Sequence, residues 1–462
     1  MITIVEPVAY VDRLWGKQRI CKGETYRLMQ YVLRLDHEDK VLLHNVVTGQ
    51  LVILDQGEQK MIDMLPAAYS PEMESLVAKH YLVPEGSDEH QQVKNMRDIL
   101  RKLDEVQGEK PILHYTILPT TACNARCYYC FEQGIKSTSM TEQTADEVVE
   151  FIASHCGKDK TVTITWFGGE PTVAETRIDQ ICKGLLEKGV KYRSKMTTNG
   201  YLFDQEMVAK AKSLWHLYSL QICVDGTETS YNRIKNYVSA KDNPYQRVMR
   251  NIGLLLDQEI GVGLRMNFDL GNYQEFEDVV NDALKRFGKN KFLSVGAHPV
   301  IGEYPDCNGE IHHGDDDWFM DAVVEMDDIT EKNGVGPPLP RLPFLNGDSC
   351  SASTGYSLTI RPDGGISRCA ELFGDDQLVG TIKDGITNKT HDDTWRKTAD
   401  YEMCQQCVLY PHCLRVANCP NKTYCHKTKI YLKHYMEVMR KACINFNKPN
   451  EQGGKDNEHA GT

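Results

Sequence analysis

Apolar residues recur along this chain in two patterns, and the alternation between them predicts its architecture. Short apolar runs at 112–118, 161–166, 191–197, 217–224, 260–268 and 291–298 read as strands. Between them, around 142–155, 175–188, 204–213, 244–257 and 273–286, the pattern turns helical. Repeated strand–helix units predict a parallel sheet with helices outside. Six such units predict a partial barrel, and in barrels of this kind the chemistry gathers at the C-terminal ends of the strands.

The flanks have other patterns. Residues 41–54 hold two apolar runs around Thr48-Gly49 and read as a β-hairpin. Asp55 is placed to cap a helix carrying Met61, Ile62, Met64 and Leu65. Pro71 opens a second helix with Met73, Leu76 and Val77 on one face, followed by Tyr81-Leu82-Val83. Val93, Met96, Ile99, Leu100 and Leu103 fall at helical spacing in a polar stretch. Proline and glycine at 338–347 mark a further boundary. The expected fold class is therefore α/β: a partial (β/α)6 TIM-like barrel over 111–337, with a small N-terminal α+β winged-helix-like domain over 1–86. A linker helix over 87–110 joins them; a cysteine-rich C-terminal cluster domain over 338–445 and a disordered tail over 446–462 complete the chain.

Composition narrows the class. The chain has 462 residues, 41% hydrophobic and 26% charged, ordinary for a globular protein. A net charge of −12 argues against a phosphate-neutralising face, so no nucleic acid is expected. No run approaches about 18 apolar residues, so no membrane span is expected. Residues 1–7 lack a basic n-region and an apolar h-region, which predicts no secretory signal and a cytoplasmic location. The 16 cysteines are unevenly spread, with seven between Cys350 and Cys425. In a long chain without an export signal, such clustering favours metal or cluster binding over disulfides. Cys21, Cys156, Cys182 and Cys223 are isolated and expected as buried thiols. Cys307 lies in a polar stretch and is a candidate late ligand.

Cys123, Cys127 and Cys130 form a C-x3-C-x2-C loop just after the first barrel strand. Three thiolates on one loop can hold three irons of a cubane cluster and leave the fourth open. Zinc sites want four ligands, usually from C-x2-C pairs, and fit the spacing less well. Trp166-Phe167-Gly168-Gly169-Glu170-Pro171 ends the second strand; its glycines permit close backbone approach, and Glu170 is a ready partner for an ammonium group. Thr197-Thr198-Asn199-Gly200 ends the third strand and offers hydroxyl and amide groups, or a capped turn. Asp225, at the end of the fourth, either reaches the pocket or caps its turn with Gly226. Arg265 and Asn267 alternate with apolar residues, so both face one side of the fifth strand. If that side is the barrel mouth, Arg265 is placed to pair with a carboxylate; if it is the outside, Arg265 is a solvated edge. His312-His313 and Asp315-Asp316-Asp317 read as part of a solvated loop.

The cysteine loop resembles the signature of the radical S-adenosylmethionine (SAM) superfamily, C-x3-C-x-aromatic-C, with Tyr129 at the aromatic position. The resemblance implies a [4Fe–4S] cluster on Cys123, Cys127 and Cys130 whose open iron is chelated by SAM. Reductive cleavage of SAM then yields a 5′-deoxyadenosyl radical that abstracts a hydrogen atom. It further implies SAM contacts at Gly168, Gly169, Glu170, Thr198 and Asn199; Asp225 and Arg265 are added as candidate SAM contacts from their places at the strand ends. Residues 350–425 resemble the SPASM extension of these enzymes: Cys350, Gly364 and Cys369, then Cys404-x2-Cys407-x5-Cys413, Cys419 and Cys425. The gap between Cys413 and Cys419 departs from the family spacing. By the family's crossed ligation, Cys350, Cys369 and Cys419 hold one auxiliary [4Fe–4S] cluster, and Cys404, Cys407, Cys413 and Cys425 another, with Cys443 an alternative last ligand. A zinc ribbon on Cys404, Cys407 and Cys413 is the competing reading.

The N-terminal order of strands and short helices resembles the peptide-recognition domain fused to enzymes that modify ribosomally made peptides. Together these features predict a radical SAM/SPASM peptide maturase that crosslinks a precursor peptide through a thioether, C–C or C–O bond. Its expected partners are the peptide's leader segment and a reductant such as flavodoxin or ferredoxin. The alternatives are a sulfatase-maturase-like or small-molecule dehydrogenase radical SAM enzyme and, from another class, an iron–sulfur electron carrier or scaffold.

Overall fold

The computed structural model describes residues 1–16, 18, 20–106, 111–300, 303–305, 311–313, 317–346, 350–413, 415–419 and 428–446. The N-terminal unit contains β1 (Ile2–Val5), α1 (Ala9–Trp15), β2 (Thr25–Leu28), β3 (Val32–His37), β4 (Lys40–Asn45), β5 (Leu51–Ile53), α2 (Gln56–Asp63), β6 (Ala67–Ala68), α3 (Glu74–Ala78) and β7 (Leu82–Pro84). Its strands form an antiparallel sheet ordered β1-β5-β4-β3 and a second ordered β6-β2-β7. The expected hairpin is β4–β5, and its turn is fixed by Asn45, whose Oδ1 accepts from Val47 N at 2.9 Å and Thr48 N at 3.1 Å. Asp55 caps α2 in a reciprocal box with Glu58, each bond 3.0 Å.

The helix α4 (Glu89–Val106) leads to the barrel, which runs β8 (His114–Ile117), α5 (Glu142–His155), β9 (Thr161–Trp166), α6 (Glu175–Glu187), β10 (Lys191–Thr198), α7 (Gln205–Ser213), β11 (Leu217–Cys223), α8 (Glu228–Lys235), α9 (Pro244–Asp257), β12 (Gly261–Phe268), α10 (Phe276–Phe287) and β13 (Leu293–Pro299). Tyr192 and Met196 of β10 join the core beneath the helices, whereas Lys191, Arg193 and Lys195 alternate with them onto the open, concave side. After β13 come the antiparallel pair β14 (Glu303–Pro305) and β15 (Ile311–His313), then α11 (Asp317–Asn333). The hairpin replaces part of the expected loop and places His312 and His313 on β15; Asp315 and Asp316 lie outside the described residues.

The cysteine-rich region is not a separate lobe. Its β16 (Ser357–Ile360) joins the barrel sheet in parallel beside β8, with Ser357 opposite His114 and Ile360 opposite Ile117. Then β17 (Gly365–Ser367), β18 (Leu378–Thr381) and β19 (Gly385–Ile386) continue the sheet antiparallel. Among the described residues the result is a ten-stranded sheet ordered β13-β12-β11-β10-β9-β8-β16-β17-β18-β19. The expected partial barrel is present and its sheet is extended by four strands from the C-terminal third. The remaining elements are α12 (Lys389–Trp395) and α13 (Thr428–Phe446). None of the helices, among the described residues, is long and apolar enough to cross a membrane. Residues 447–462, expected as a disordered tail, lie outside the described residues.

The core has two main parts. One underlies the barrel helices and takes in Leu358, Ile360, Ile366 and Val379 of the sheet extension. The other fills the N-terminal unit and takes in Leu345, Leu409, Tyr410, Tyr435, Met439 and Cys443 from the C-terminal third. The chain before Cys350 straps the two ends together. His44 Nε2 lies 2.8 Å from the Pro343 carbonyl, Leu345 N donates to Val47 O at 2.9 Å, and His412 Nδ1 lies 2.9 Å from Phe344 O.

Burial pushes His44 down to about 4, against the opposing pull of its carbonyl partner. Below the ordinary value near 6.5, the unfolded chain takes up a proton that the native strap refuses. Stability is therefore full above pH 6.5 and falls as pH drops toward 4. Wild type is expected to lose roughly 2 kcal/mol more than His44→Gln between pH 7 and pH 5, read from chemical unfolding of both at the two pH values. Equal losses would show that the strap does not exclude the proton.

Candidate active site

The cysteine loop grows from the end of β8. Thr121 N donates to Thr138 O at 2.9 Å, Met140 N to Pro119 O at 2.9 Å, and the Thr120 and Ser139 hydroxyls are 2.8 Å apart. These bonds close the intervening segment into a pinched loop. Inside it Arg126 Nη1 donates to the carbonyls of Cys123 and Ala125 at 2.8 and 2.7 Å, while Cys130 N donates to Cys127 O at 3.2 Å. The three thiols are half-buried and unbridged. They lie within electrostatic reach of one another; burial pushes Cys123 up to about 12 and Cys127 up to about 11. Such thiols stay protonated until something cationic takes them as ligands.

The Gly168-Gly169 turn lies against this loop. Gly169 N donates to Thr120 O at 3.2 Å and Glu170 N to Ala122 O at 2.9 Å. A Cβ on Gly168, whose φ is +109°, would stand 2.4 Å from Thr120 O; one on Gly169 would stand 2.5 Å from the carbonyls of Thr121 and Ala122. Both positions therefore exclude side chains. Glu170 is 1% exposed. Its Oε1 accepts from Thr172 N at 3.1 Å, Thr172 Oγ1 at 2.5 Å and Thr198 Oγ1 at 2.7 Å, and Oε2 accepts from Asn199 N at 2.7 Å. Burial raises the carboxyl despite these donors. Expected as an ammonium partner, the carboxylate is here already committed to joining the ends of β9 and β10, and Oε2 keeps room for one more donor. Asn199 Nδ2 donates to Asn124 Oδ1 at 2.6 Å, tying β10 to the cysteine loop.

Asp225 sits beneath the loop, wholly buried, and does not cap its own turn with Gly226. Oδ1 accepts from Asn267 N at 2.9 Å and Nδ2 at 3.2 Å. Oδ2 pairs with Lys235 Nζ at 2.7 Å and accepts from the Tyr129 hydroxyl. Tyr129 thus faces down into this network, where burial raises its phenol far above the ordinary range. Tyr128 donates to Asp269. Arg265 is half-buried on the concave face, opposite Cys223 and Gly296; Nε donates to Asn267 Oδ1 at 2.9 Å, and no carboxylate pairs with it among the described residues.

Lys235 was not marked by the sequence, although a signal existed. It falls at i+4 from Tyr231 and i+1 from Ile234, on the apolar face of α8, and all three are buried. Cys223, expected as a buried thiol, is instead half-buried and within electrostatic reach of Cys127; Cys21 is half-buried as well. Cys156 and Cys182 are buried as expected.

Cys350, Cys369 and Cys419 come together around Ala352, Trp395 and Val416. Each of the first two feels the charge of Cys419, and burial pushes Cys369 up to about 11. The long gap before Cys419 is absorbed by a short pairing: Ala399 N donates to Arg415 O at 3.0 Å and Ala417 N to Lys397 O at 2.7 Å. Arg368, buried against Asp392 at 2.5 Å, donates to Thr354 O and Ser357 O at 2.9 and 2.8 Å and so fixes Cys369 against the turn after Cys350. Cys404, Cys407 and Cys413 lie apart from this group, beside α4. Arg97 donates to Tyr410 O at 2.6 Å and Cys413 O at 2.8 Å, and Cys404 and Cys413 both act on its charge. Cys443 is buried in the same core as Cys404. Cys425 and Cys307 lie outside the described residues.

The donor chemistry fits iron–sulfur ligation: unbridged thiols in sets of three, two of the sets on short segments and the third, Cys350, Cys369 and Cys419, gathered by the fold. Among the described residues no three ligating side chains are drawn in to the spacing of a single metal ion. A cubane places each thiolate on its own iron and asks for a wider triangle.

Residues 117–283 match the model of the Radical SAM superfamily. Over 169 residues, 37% of this chain, the sequence is 25% identical to Fe-coproporphyrin III synthase of Methanosarcina barkeri; the match spans 40% of that protein, less than half its length. The structure of anSMEcpe with bound AdoMet superposes with a TM-score of 0.55 at 17% identity, over 72% of this chain and 99% of that one. Streptococcus suis SuiB bound to precursor peptide SuiA superposes with a TM-score of 0.50 at 14% identity, over 84% and 94%. At these identities the likeness to the solved structures is one of fold.

The turn against the cysteine loop yields a direct test. Gly169→Ala is expected to push residues 121–122 away and lower stability by roughly 2–4 kcal/mol. Iron uptake on anaerobic reconstitution should fall with it. Gly253→Ala, inside α9 with the nearest atom to the added Cβ 3.6 Å away in Phe287, is the control: it should leave iron uptake unchanged and lower stability not at all, a mid-helix alanine adding up to about 1 kcal/mol. Unchanged iron uptake in Gly169→Ala would show that the close approach is not needed.

Proposed function

From the premise that the chain carries a radical SAM domain, we propose that it is a SPASM-type radical SAM enzyme that matures a precursor peptide. The observation that carries this reading is the arrangement at the strand ends. One loop presents three unbridged thiols; the Gly-Gly-Glu turn and Asn199 are bonded directly to that loop, and Thr198 is joined to it through Glu170.

In this reading Cys123, Cys127 and Cys130 would each hold one iron of a [4Fe–4S] cluster. When bound, that cluster supplies one electron to SAM, whose 5′-deoxyadenosyl radical takes a hydrogen atom from the substrate. The chain's own residues do the positioning. The side-chain-free Gly168-Gly169 turn lets backbone carbonyls approach the SAM ammonium, and Glu170 Oε2 offers one further acceptor. Arg265 faces the concave side and suits the SAM carboxylate. Tyr129 and Asp225 hold the loop from below. The barrel wall keeps water and other hydrogen donors from the reacting atoms.

Cys350, Cys369 and Cys419 would hold one auxiliary cluster. Cys404, Cys407 and Cys413 would hold the other, with Cys425 or Cys443 as the last ligand. Peptide as substrate is supported by the N-terminal unit. β3 lies at the end of its sheet, pairing only with β4 among the described residues, and a leader segment can add there as a further strand. SuiB, of similar fold, was solved with a precursor peptide. A reduced flavodoxin or ferredoxin would deliver the electron.

Anaerobically reconstituted, reduced wild type is expected to carry about 12 irons per chain and to release 5′-deoxyadenosine from SAM, detected by mass spectrometry. The Cys123→Ala/Cys127→Ala/Cys130→Ala variant should keep about 8 irons and release none. Well-loaded wild type that never cleaves SAM, with or without candidate peptides, would turn the reading to an iron–sulfur carrier.

A further inference from the structure

One buried cation beneath the cysteine loop takes no part in the steps above. The Lys235 side chain, at the end of α8, is 3% exposed, and its Nζ lies 2.7 Å from Asp225, itself 0% exposed. It donates to the Tyr129 hydroxyl at 3.0 Å and lies 5.6 and 5.9 Å from the ring centroids of Tyr129 and Tyr231. The backbone locks it to the loop twice. Arg126 N donates to Lys235 O and Val238 N to Asn124 O, each at 2.9 Å. Asn236, in left-handed conformation with φ 44°, turns the chain between these two bonds.

Asp225 does not need the lysine for its hydrogen bonding, since Tyr129 and Asn267 already donate to both of its oxygens. A buried ion pair is moreover weak evidence for stability, because apolar groups of similar size hold a core as well or better. The pair therefore calls for an electrostatic role. What the lysine meets is the thiol loop itself: Arg126, next to Cys127, bonds to the Lys235 carbonyl at 2.9 Å, and Tyr129, next to Cys130, accepts from its ammonium at 3.0 Å.

We propose that Lys235 is a positioning residue that biases a cluster on Cys123, Cys127 and Cys130 toward its reduced state; this rests on the functional reading above. A [4Fe–4S] core in its oxidised form with three thiolates is singly negative, and one added electron makes it doubly negative. A buried cation beneath the loop would stabilise the second state more than the first. The electron comes from the external one-electron reductant, and no bond forms or breaks. The opposed carboxylate of Asp225, two residues past β11 and bonded to Asn267 near the end of β12, limits the bias.

The test is a potentiometric titration of loaded, full-length protein followed by electron paramagnetic resonance, scoring the signal that changes when SAM is added. Lys235→Met is expected to lower the reduced-to-oxidised ratio about tenfold at a fixed potential, a midpoint about 59 mV more negative for one electron. Lys235→Arg should stay within about twofold of wild type. Asp225→Asn should move the midpoint the other way, and the Lys235→Met/Asp225→Asn double variant should return toward wild type. A purely structural role would lower cluster loading in both single variants without opposite shifts. Midpoints that do not move, or that move in the same direction, overturn the proposal. If Lys235→Met cannot be loaded, Asp225→Asn decides alone, and anything but a less negative midpoint overturns it. Absence of any SAM-responsive signal in wild type overturns the functional reading itself, and this proposal with it.

Discussion

Three strand ends must be held at fixed spacing if a loop of thiols is to sit over them, and a single buried carboxylate does most of that work. Glu170 takes its backbone position from β9, collects donors from Thr198 and Asn199 at the end of β10, and rests by its own N–H on Ala122, just before Cys123. Removing the charge from water is costly. Four donors on two oxygens offset that cost, and they also define where each donor must stand. Asp225 repeats the device one layer lower, with Lys235, Tyr129 and Asn267 as its partners. The cysteine loop is thus suspended between two buried carboxylates, neither of which depends on solvent.

The C-terminal cysteines rest on different foundations. Cys350, Cys369 and Cys419 are carried by the extension of the barrel sheet and by the Arg368–Asp392 pair. Cys404, Cys407 and Cys413 are carried by α4 and by the core of the N-terminal unit, through Tyr410, Leu409 and Arg97. The second group therefore shares its packing with the module proposed to meet a leader segment, and the first group shares its packing with the barrel. The strap through Pro343, Phe344 and Leu345 joins the two.

Much of this was legible in the sequence because it is local. Periodicity placed the six barrel strands and five of their helices within a few residues. Spacing alone marked Cys123, Cys127 and Cys130, and adjacency marked Gly168-Gly169-Glu170. What was not legible depends on contacts between distant residues. Asp225 could be narrowed to pocket or cap, yet its carboxylate belongs to Lys235, Tyr129 and Asn267, which only the fold assembles. Lys235 looked like an ordinary cation in the last turn of a short helix; only the packing of Tyr231 and Ile234 shows that this face is buried. The same holds for β16, a short apolar run with no mark to say that it pairs with β8. The irregular gap before Cys419 had no explanation in the residue types, because the pairing of 415–417 with 397–399, which takes up the slack, leaves no trace in them.

The pairing of β8 with β16 also constrains the order of assembly. A chain leaving the ribosome presents β8 with one row of backbone groups bare, and the strand that covers it arrives only with residues 357–360. Until then the nascent barrel has an open seam beside the very loop that carries the first three thiols. Such a seam is a template for wrong pairing, and it makes the late phase of synthesis the vulnerable one. It also leaves that loop reachable from its flank until residues 357–360 arrive.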